Sequence, residues 1–395
     1  MYIIERASFL RIWLELFRVY PAQAEYVKAY NKNVIEKNLR AERNVLKSKR
    51  GHQSYLLYTS EHTMIQIWRI TAEQTKQIEL PQDTDLNVIT RQLPDGFYST
   101  FRTYGQGTRV IGLKAHLQRL YGPVRSPQVS ELTLRKQLGL LLKDYSNEAR
   151  VRLIMTKQGE LYVAIEALKQ WPNEIYEKGV KVETVELTRT DPRLKSTRFI
   201  GESESERKHI VQKGIFEALI VKNGKILEGL TSNFFYVLRP ACPVPSGPGR
   251  GTWDAGTGER SEAQSKDGIQ EKSSPPRSSR FDYGIEEHNP SAPQENAGTS
   301  QREVLCTAQR DILLGVTRRT VIHLARGIGL EIVYEPLKRD QTQVAQEAFI
   351  TSSSRGIVPV VQIDGEMVGE GSVGAITRQL SVAYEAYVLE KAERI

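Results

Sequence analysis

Cysteine is scarce in this chain of 395 residues, which contains only Cys242 and Cys306. The sequence has no Cys-x-x-Cys pair and no Cys/His cluster with metal-ligand spacing, and two cysteines do not build a disulfide framework. Scarce cysteine is typical of proteins that work in a reducing compartment. We therefore predict a cytoplasmic protein that binds no metal.

Long apolar runs are also lacking. The most apolar N-terminal stretch, FLRIWLELF, is short and contains both Arg and Glu. It is too short and too charged for a membrane span or for the apolar region of a secretory signal. The sequence therefore predicts no membrane association.

A concentrated basic patch is the third missing feature, although the chain has a net charge of +8 and a pI near 9.2. Its Lys and Arg residues are spread along the chain among Asp and Glu, and no nucleic-acid recognition motif accompanies them. This charge is typical of solvated faces and of a few arginines that bind small anions. We predict no nucleic-acid partner.

Two segments differ in composition from the rest of the chain. Residues 1–63 are highly charged and rich in helix formers, which predicts an atypical helical leader. Residues 239–302 are rich in Pro, Gly and Ser and contain no leucine, so they bury too little surface to fold. We predict a disordered insertion there, or a segment that the working protein lacks. Its flanks, FFYVL and EVLCTA, would then join as a hairpin.

Residues 64–166 are predicted to form a small α+β domain. MIQIWRI alternates like a strand, and DGFYSTFRTYGQGTRVIGL is typical of a hairpin around Gly105-Gln106-Gly107. KAHLQRLYG and SELTLRKQLGLLLKDY have the leucine spacing of helices. ARVRLIMTKQGELYVAIEAL predicts a second hairpin, and residues 167–177 a linker.

Residues 178–395 are predicted to form a larger domain, interrupted by residues 239–302. GVKVETVEL predicts a strand, ESESERKHIVQKGIFEAL one helix, and ALIVKNGKILEGLTSNFFYVL three strands with an Asn-Gly turn. A helix is expected from just after Gly315 to Gly327 or Gly329. EAFITSSSRGIVPVVQIDG predicts strand, polar turn and strand, and residues 373–392 a terminal helix.

One carboxylate lies inside an apolar run. In ILEGLTSNFFYVL, Glu228 is surrounded by apolar residues and followed by the polar triplet TSN. A buried carboxylate is costly unless a positive or hydrogen-bonding group meets it. A turn with a solvated Glu228 would also explain the run, so the neighbouring motifs decide between the two.

Three motifs follow one another: ILEGLTSNFFYV, GVTRRTVI and ITSSSRGIVPV. Their order and spacing resemble the class IV aminotransferases, a family that includes branched-chain aminotransferases, D-amino-acid aminotransferases and aminodeoxychorismate lyase. The resemblance covers roughly residues 64–238 and 303–390. It implies a two-domain α+β / α/β fold of type IV, with a small N-terminal α+β domain and a larger C-terminal mixed α/β pseudo-barrel domain. It also implies pyridoxal 5'-phosphate as cofactor and a homodimer.

This cofactor needs a lysine amine for a Schiff base, a carboxylate opposite its pyridine nitrogen, and donors for its phosphate. The resemblance assigns the carboxylate to Glu228 and the amine to Lys195, which precedes it by 33 residues in DPRLKSTRFI. Other lysines fit less well. Lys181 lies before the turn that contains Pro192, and Lys208 and Lys213 fall in the helix predicted over ESESERKHIVQKGIFEAL.

The phosphate is expected at the start of the helix in GVTRR, where unpaired N–H groups and the helix dipole favour an anion. Val316 and Thr317 match the family's backbone donors, although a plain threonine cap has the same pattern. Ser353 matches a hydroxyl that contacts the phosphate, with Ser352 as the alternative one residue away.

Three further residues are placed beside the cofactor by the resemblance. The motif KAHLQRL carries the matching phosphate-binding arginine, Arg119, and the polar triplet contributes Thr231 and Ser232. Without the resemblance, Arg119 would be interpreted as an exposed helix residue.

The substrate side is predicted from two strands. Tyr98 matches an active-site tyrosine, while Arg150 and Arg152 lie two residues apart on one strand face. Arg152 matches an arginine of branched-chain enzymes, but Arg150 replaces their tyrosine, which argues against branched-chain specificity. Two such arginines suit an amino acid or a dicarboxylate, and a charged outer face is the alternative. Thr100 matches a catalytic threonine of the lyase.

The function implied by the resemblance is transamination between an amino acid and a 2-oxo acid through a Lys195 aldimine. One alternative is aminodeoxychorismate lyase, which forms 4-aminobenzoate. Another is an inactive family member that acts as a binding protein. His116 and His209 are expected to be structural, because Lys195 can itself transfer the proton.

Overall fold

The structure, a computed structural model, describes residues 65–81, 84–143, 145, 147–239 and 303–395. All of them fall within one unit of the chain, residues 62–395. The leader predicted for residues 1–63 lies outside the described residues, and so do residues 240–302 of the segment predicted to be disordered.

The strands in this part of the chain are short to medium in length. They are β1 Gln66–Ile70, β2 Thr75–Ile78, β3 Gly96–Arg102, β4 Arg109–Val110, β5 Ala149–Thr156, β6 Leu161–Ala167, β7 Val180–Glu186, β8 Glu217–Lys222, β9 Lys225–Gly229, β10 Asn233–Leu238, β11 Val304–Thr307, β12 Glu331–Val333, β13 Leu337–Lys338, β14 Glu347–Ser352, β15 Gly356–Ile363, β16 Glu366–Met367 and β17 Glu393–Arg394.

The helices are distributed along the whole described sequence. They are α1 Leu86–Gln92, α2 Leu113–Tyr121, α3 Glu131–Leu142, α4 Glu174–Glu177, α5 Arg198–Glu202, α6 Glu204–Gln212, α7 Val316–Gly327 and α8 Ala375–Lys391, with a 3₁₀ helix at Arg339–Val344.

The first sheet has five antiparallel strands in the order β2-β1-β6-β5-β3. Because side chains alternate along a strand, β5 directs Val151 and Leu153 to one face and Arg150 and Arg152 to the other. The apolar face packs in a core with α2 and α3. The opposite face carries the arginines predicted for the substrate.

Helix α3 illustrates why this core forms. Leu134, Leu138 and Leu142 recur at a spacing of four residues and are all buried. The helix begins after Ser130, whose Oγ accepts a hydrogen bond from Thr133 N–H at 3.1 Å. Both helices predicted in this region are confirmed.

The second sheet has the strand order β12-β11-β10-β14-β15-β7-β8-β9-β13, with β16 beside β15. β10 also pairs with β9 through Asn233 and Glu228. Six strands, β10-β14-β15-β7-β8-β9, therefore form a closed ring, in which β7 runs parallel to β15 and β8. This ring has the predicted barrel-like form, and its seam lies at Glu228.

Helices α7 and α8 cover one side of this ring. Val321 of α7 and Leu380 of α8 belong to the same core cluster as Phe235 and Phe349, whose rings stack at 5.0 Å between centroids. The helix predicted after Gly315 is confirmed and ends at Gly327. This packing fixes the start of α7 against the end of the ring.

The strands on either side of residues 240–302 pair directly. β10 and β11 are antiparallel, with Leu238 opposite Val304. Arg239 and Glu303, one residue farther out, form an ion pair at 2.9 Å. The flanks FFYVL and EVLCTA therefore pair as antiparallel neighbours, which agrees with the expectation that they would join as a hairpin if the segment were absent.

The hairpin predicted around Gly105-Gln106-Gly107 is wrong in its pairing. A turn does form there, and Tyr104 pairs with Arg109. However, β3 pairs with β5, and the two-residue β4 pairs with β17 near the end of the chain. The turn is a local property, whereas β3 forms seven cross-strand pairs with β5, and β4 is only two residues long.

The single helix predicted over ESESERKHIVQKGIFEAL is also wrong at its C-terminal end. α6 ends at Gln212, and Glu217 already begins strand β8. Gly214 has φ +65°, a left-handed conformation that ends helices. Neither β2 nor α1 was predicted, and the predicted linker 167–177 contains the short helix α4.

Among the helices of the described residues, none combines the length and the apolar character that a membrane crossing requires.

Candidate active site

All twelve residues that the sequence assigned to a site line one cleft. The predicted cofactor group comprises Lys195, Glu228, Arg119, Val316, Thr317, Ser353, Thr231 and Ser232, and the predicted substrate group comprises Tyr98, Thr100, Arg150 and Arg152. The cleft lies between the arginine-bearing face of the first sheet and the seam of the strand ring.

Lys195 lies in the turn between β7 and α5, and main-chain hydrogen bonds hold this turn against β3. Tyr98 N–H donates to Lys195 O, and Thr197 N–H donates to Gly96 O, both at 2.9 Å. The Lys195 Nζ lies 5.0 Å from the centroid of the Tyr98 ring. The amine is thereby fixed at the cleft wall.

Desolvation lowers the pKa of Lys195 from 10.5 to about 8. The negative charge that Tyr98 can carry opposes this shift, while Arg119 and Arg189 add to it. A lysine with this pKa has a substantial neutral fraction near neutral pH. Neutral amine is the form that attacks a carbonyl carbon.

Glu228 is buried at the seam of the ring. Its Oε2 accepts hydrogen bonds from Leu313 N–H at 3.1 Å and from Asn233 Nδ2 at 3.2 Å. Its Oε1 lies 3.2 Å from Arg189 Nε, but the two atoms are not aligned as a hydrogen bond. Within the described part of the chain, Oε1 therefore has no hydrogen-bond partner.

Burial raises the pKa of Glu228 from 4.5 to about 7. The neighbouring Arg189 charge and the hydrogen bond from Leu313 N–H act in the opposite direction. A cation or N–H donor placed against the free Oε1 would favour the ionised form. The carboxylate is thus suited to bind a protonated ring nitrogen.

Tyr98 extends from β3 into the same space. Burial raises the pKa of its phenol, but the charges of Lys195, Arg152 and Arg189 outweigh burial, and the net result is a lowered pKa. The Tyr98 ring also lies 4.9 Å from the Arg152 guanidinium. Tyr98 therefore contacts both the amine side and the arginine side of the cleft.

The start of α7 forms the other end of the cleft. Gly315 is in extended conformation and offers no side-chain cap, so the N–H groups of the first turn have no partner within the helix. A Cβ at Gly315 would overlap Asn233 Oδ1, which explains why glycine is required at this close approach. Val316 and Thr317 follow directly.

Arg119 projects from α2 to this helix start, where its Nη2 donates to Leu314 O at 2.6 Å. Ser353 lies in the turn between β14 and β15, next to Ser352 and Ser354, and all three line the cleft. The elements that carry phosphate-type donors therefore converge as predicted. The structure places Ser352 and Ser353 side by side, so the alternative between them stays open.

Arg150 and Arg152 differ in their surroundings although both line the cleft. Arg150 Nε forms an ion pair with Glu166 on the neighbouring strand β6. Arg152 Nη1 donates to Leu86 O, Asn87 Oδ1 and Thr90 Oγ1 of α1. Desolvation lowers the pKa of Arg152 to about 10.

Thr100 is held by the same arginine. Its Oγ1 accepts a hydrogen bond from Arg152 Nε at 3.2 Å. The threonine predicted from the lyase pattern thus helps to fix the guanidinium in this structure.

Thr231 and Ser232 contact a buried ion pair at the cleft wall. Arg355 Nη2 donates to Glu217 Oε2 at 2.9 Å and to Thr231 Oγ1 at 2.6 Å. The hydroxyl of Thr231 donates to the same Glu217 oxygen at 2.5 Å. These contacts connect the turn after β9 with the turn that carries Ser353, so their direct contacts are with protein groups.

Several cleft residues were missed by sequence reasoning. Arg189 precedes Lys195 by six residues in TRTDPRLK. Arg207 lies on helix α6, whose residues are mostly polar. Arg355 and Trp171 lie in a turn and in the predicted linker. None of them lies in a periodic pattern, and only the need of Glu228 for a cation could have indicated Arg189.

The other lysines and the histidine considered for the chemistry of the site have structural partners. Lys208 pairs with Glu204 at 3.0 Å and Lys213 with Glu183 at 2.9 Å, both at the surface. His116 is buried, and its Nδ1 hydrogen-bonds with Ser99 Oγ at 2.8 Å. Burial, with Arg119 and Lys195 nearby, holds the pKa of His116 well below its usual value, which fits a neutral structural histidine.

The cleft is strongly positive. Among the described residues that line it, one is a carboxylate, Glu228, and eight are basic: Arg119, Arg150, Arg152, Lys169, Arg189, Lys195, Arg207 and Arg355.

The model of the family described as amino-transferase class IV matches residues 96–249 and 287–363, which is more than half of the chain. The chain belongs to the class IV aminotransferases.

Curated relatives of this class IV aminotransferase match over a shorter stretch. The branched-chain-amino-acid aminotransferase of Pseudomonas aeruginosa is 36% identical over 81 residues, 20% of this chain and 26% of the relative. That of Escherichia coli K12 is 36% identical over 72 residues, 18% and 23% of the two chains. The chain thus spans about a quarter of the length of the curated relatives it matches.

Solved structures match over most of the fold. A putative branched-chain amino acid aminotransferase of Thermotoga maritima has a TM-score of 0.56 at 20% identity, covering 82% of this chain and 96% of that one. A hypothetical aminotransferase of Mycobacterium tuberculosis in its PLP-bound form has a TM-score of 0.55 at 16% identity, with coverages of 82% and 99%. At these identities the likeness shows the fold.

Class IV aminotransferases use pyridoxal 5'-phosphate, and the donor set of this cleft fits that group. Glu228 Oε1 is buried without a hydrogen-bond partner among the described residues. It can therefore accept a hydrogen bond from the pyridine N–H of the cofactor. Lys195 supplies an amine with a lowered pKa. The start of α7, which has no side-chain cap, supplies N–H groups without a partner inside the helix for a phosphate, beside Arg119.

Proposed function

We propose that this class IV aminotransferase transfers an amino group between an amino acid and a 2-oxo acid, with pyridoxal phosphate attached to Lys195. The observation that carries the proposal is that Lys195 and Glu228 line the same cleft. When bound, the cofactor supplies a carbonyl that captures amines and a ring that accepts electrons from the substrate Cα.

The residues of the chain would have separate tasks. Glu228 Oε1 accepts the hydrogen of the ring nitrogen, and Arg189 at 3.2 Å favours the ionised carboxylate that this bond requires. Lys195, once free, would hold the proton removed from the substrate Cα and deliver it to the cofactor's C4′ carbon. Its pKa of about 8 suits both steps at neutral pH.

Binding and orientation are assigned to the ends of the cleft. The first N–H groups of α7, Arg119 and the hydroxyl of Ser353 would hold the phosphate. Arg150 and Arg152, on the opposite wall, would orient the carboxylate of the substrate. These roles are proposals supported by the positions of the side chains in the cleft.

Transamination is favoured over the alternatives by the relatives described above, which are named as aminotransferases. Thr100, which suggested the lyase, accepts a hydrogen bond from Arg152 Nε instead of standing free in the cleft. An inactive binding protein would not need an amine with a lowered pKa opposite a buried acid.

The test is a panel of L- and D-amino acids added one at a time to the purified holoenzyme. We expect a productive donor to convert the cofactor to its amine form and to release one equivalent of 2-oxo acid, measured by absorbance and product assay. Release of 4-aminobenzoate from aminodeoxychorismate would instead establish the lyase. No response to any donor, with the cofactor bound, would rule out the transaminase.

The assembly and location of the enzyme are part of the same proposal. We infer a cytoplasmic homodimer, as the family resemblance implies. Light scattering of the purified holoenzyme should give twice the mass of one 44.8 kDa chain. A mass of one chain together with full activity would contradict the dimer.

A further inference from the structure

Thr351, near the end of β14, carries a buried hydroxyl that the fold leaves without a partner. The residue is 2% exposed, and among the described residues its Oγ1 has no hydrogen-bond partner. Two other hydroxyls in the described part of the chain share this state, those of Thr75 and Tyr121, but of the three only Thr351 lines the cleft. A buried hydroxyl without a partner is costly. Its position in the cleft wall indicates that a ligand supplies the missing partner.

Other buried threonines of this domain show how the fold pairs such a group. The Thr307 hydroxyl, on β11, donates to Phe234 O at 2.8 Å, and the Thr320 hydroxyl, on α7, donates to Val316 O at 3.3 Å. In both cases a main-chain carbonyl oxygen accepts the hydrogen. No described residue supplies such an acceptor to Thr351, so its hydrogen is available to an acceptor inside the cleft.

The side chain of Thr351 lies on the face of β14 that packs against α7. Side chains alternate along a strand, so Thr351 shares a face with Phe349, which belongs to the same core cluster as Val321 of α7. On the neighbouring strand, Thr351 lies opposite Asn233. The Asn233 side chain closely approaches Gly315, where an added Cβ would lie 2.2 Å from its Oδ1. Thr351 therefore lies beside the segment that leads into the first turn of α7.

The ligand that suits this part of the cleft is an anion. The first turn of α7 has no side-chain cap, and Val316 and Thr317 line the cleft together with Thr351. Arg119 reaches the same helix start, where it donates to Leu314 O. N–H groups at a helix start and an arginine favour negative charge. The oxygens of a phosphate dianion only accept hydrogen bonds, which is what an unused hydroxyl donor requires.

We propose that Thr351 is a further phosphate-binding residue, whose hydroxyl donates to a phosphate oxygen of pyridoxal phosphate. The bond would be charge-assisted and would satisfy a group that the protein alone leaves unpaired. Thr351 adds to the donors of α7, Arg119 and the serine turn. The inference rests on the proposed function, since it names another residue for the cofactor of the same site.

The test uses Thr351→Val, which replaces the hydroxyl by a methyl group of similar size, and we expect two effects of opposite sign. The apoprotein should melt at the same temperature or up to about 4 °C higher, because a buried hydroxyl without a partner is removed. Its affinity for pyridoxal phosphate, titrated by absorbance, should fall about 10-fold or more. Affinity for pyridoxal, which lacks the phosphate, should change by less than about 3-fold.

Thr307→Val is the matched control, because it makes the same change at a buried hydroxyl that has a partner. It should show the reverse pattern, a lower melting temperature of the apoprotein and an unchanged affinity for pyridoxal phosphate. Thr351→Ser keeps the hydroxyl and should keep pyridoxal phosphate affinity within about 3-fold of the wild type.

Three results would overturn the role of Thr351. They are an unchanged pyridoxal phosphate affinity in Thr351→Val, an equal loss for pyridoxal and pyridoxal phosphate, and a lower melting temperature of its apoprotein, which would reveal a structural partner. A wild type that binds neither compound would instead overturn the proposed function, and this inference with it. Because the titrations need no turnover, a failure of transaminase activity is distinguished from a failure of phosphate binding.

Discussion

At the scale of single residues, burial moves two pKa values towards each other. The pKa of Lys195 falls from 10.5 to about 8, and that of Glu228 rises from 4.5 to about 7. In both cases desolvation favours the neutral form. Both groups can therefore exchange protons within the physiological range, and each depends on charges in the cleft for its final state.

Cofactor capture should depend on pH through Lys195. With a pKa of about 8, roughly one tenth of the amine is neutral at pH 7, far more than for an ordinary lysine. The rate of attachment, followed by absorbance, should rise about 10-fold per pH unit below 8 and level off above it. Lys195→Ala should show no attachment, and a midpoint near 10 would contradict the shifted pKa.

Glu228→Gln should change stability with a defined sign. Because the folded-state pKa is raised, the folded apoprotein holds a proton between pH 4.5 and about 7 that the unfolded chain has lost. Wild-type stability should therefore fall as pH rises through this window, by on the order of 3 kcal/mol at most. Glutamine does not titrate, so the variant does not lose stability in this window. The variant should therefore be more stable relative to the wild type at pH 8 than at pH 4.5.

Chemical denaturation of both apoproteins at pH 4.5, 6 and 8 measures the effect. Parallel stability curves would show that the carboxyl of Glu228 titrates normally. In the holoenzyme the same variant should lose on the order of 100-fold or more in kcat, because a neutral amide does not stabilise a protonated ring nitrogen. Glu370→Gln, at an exposed position, serves as the control for both measurements.

Sequence reasoning identified the cleft-lining residues that lie in motifs and missed those that other elements bring into the cleft. Lys195, Glu228 and Val316 could be placed because each lies in a stretch with a recognisable order. Arg189 and Arg207 enter the cleft from a turn and from a polar helix. Their roles depend on which elements the fold brings together, which the local sequence does not specify.

At the scale of elements, the start of α7 is the most sensitive point. Gly315→Ala would push a methyl group into Asn233, which donates to both Glu228 and Leu313 O. We expect about 1–3 kcal/mol of destabilisation and weaker cofactor binding by about 10-fold or more. Thermal melts and cofactor titration measure the two effects.

The same helix supplies a matched control. Gly327, at its last turn, has no neighbour within 4 Å of an added Cβ. Gly327→Ala should therefore be neutral or stabilise by about 0.4–1 kcal/mol and leave cofactor affinity unchanged. Similar losses of stability and cofactor affinity in both variants would show that they arise from any change in the helix, and not from the contact with Asn233.

Element types were easier to predict from sequence than element partners. The leucine spacing of α3 and the glycines that bracket α7 identify those helices, since the signals are local. The pairing of β3 with β5 across an intervening pair of helices depends on a long-range fit. The same holds for β10 with β9, which closes the ring only through Asn233 and Glu228.

At the scale of the whole molecule, the ring does not require residues 240–302 for its continuity. Because Leu238 faces Val304 and Arg239 pairs with Glu303, an Asn-Gly turn should bridge the two strands in their place. We expect this deletion variant to retain cofactor capture and to melt within a few degrees of the wild type. Loss of capture with an intact melt would show that the segment serves the site.

Glu393, late in the sequence, caps the first turn of helix α2. Gly112 offers α2 no side-chain cap, and Glu393 Oε1 instead accepts the hydrogen bond of Leu113 N–H at 2.8 Å. β17 meanwhile pairs with β4 just before that helix, which carries Arg119. Leu113 and Glu393 are 280 residues apart, so the helix that carries Arg119 is completed by a long-range contact that any fragment ending before Glu393 would lack.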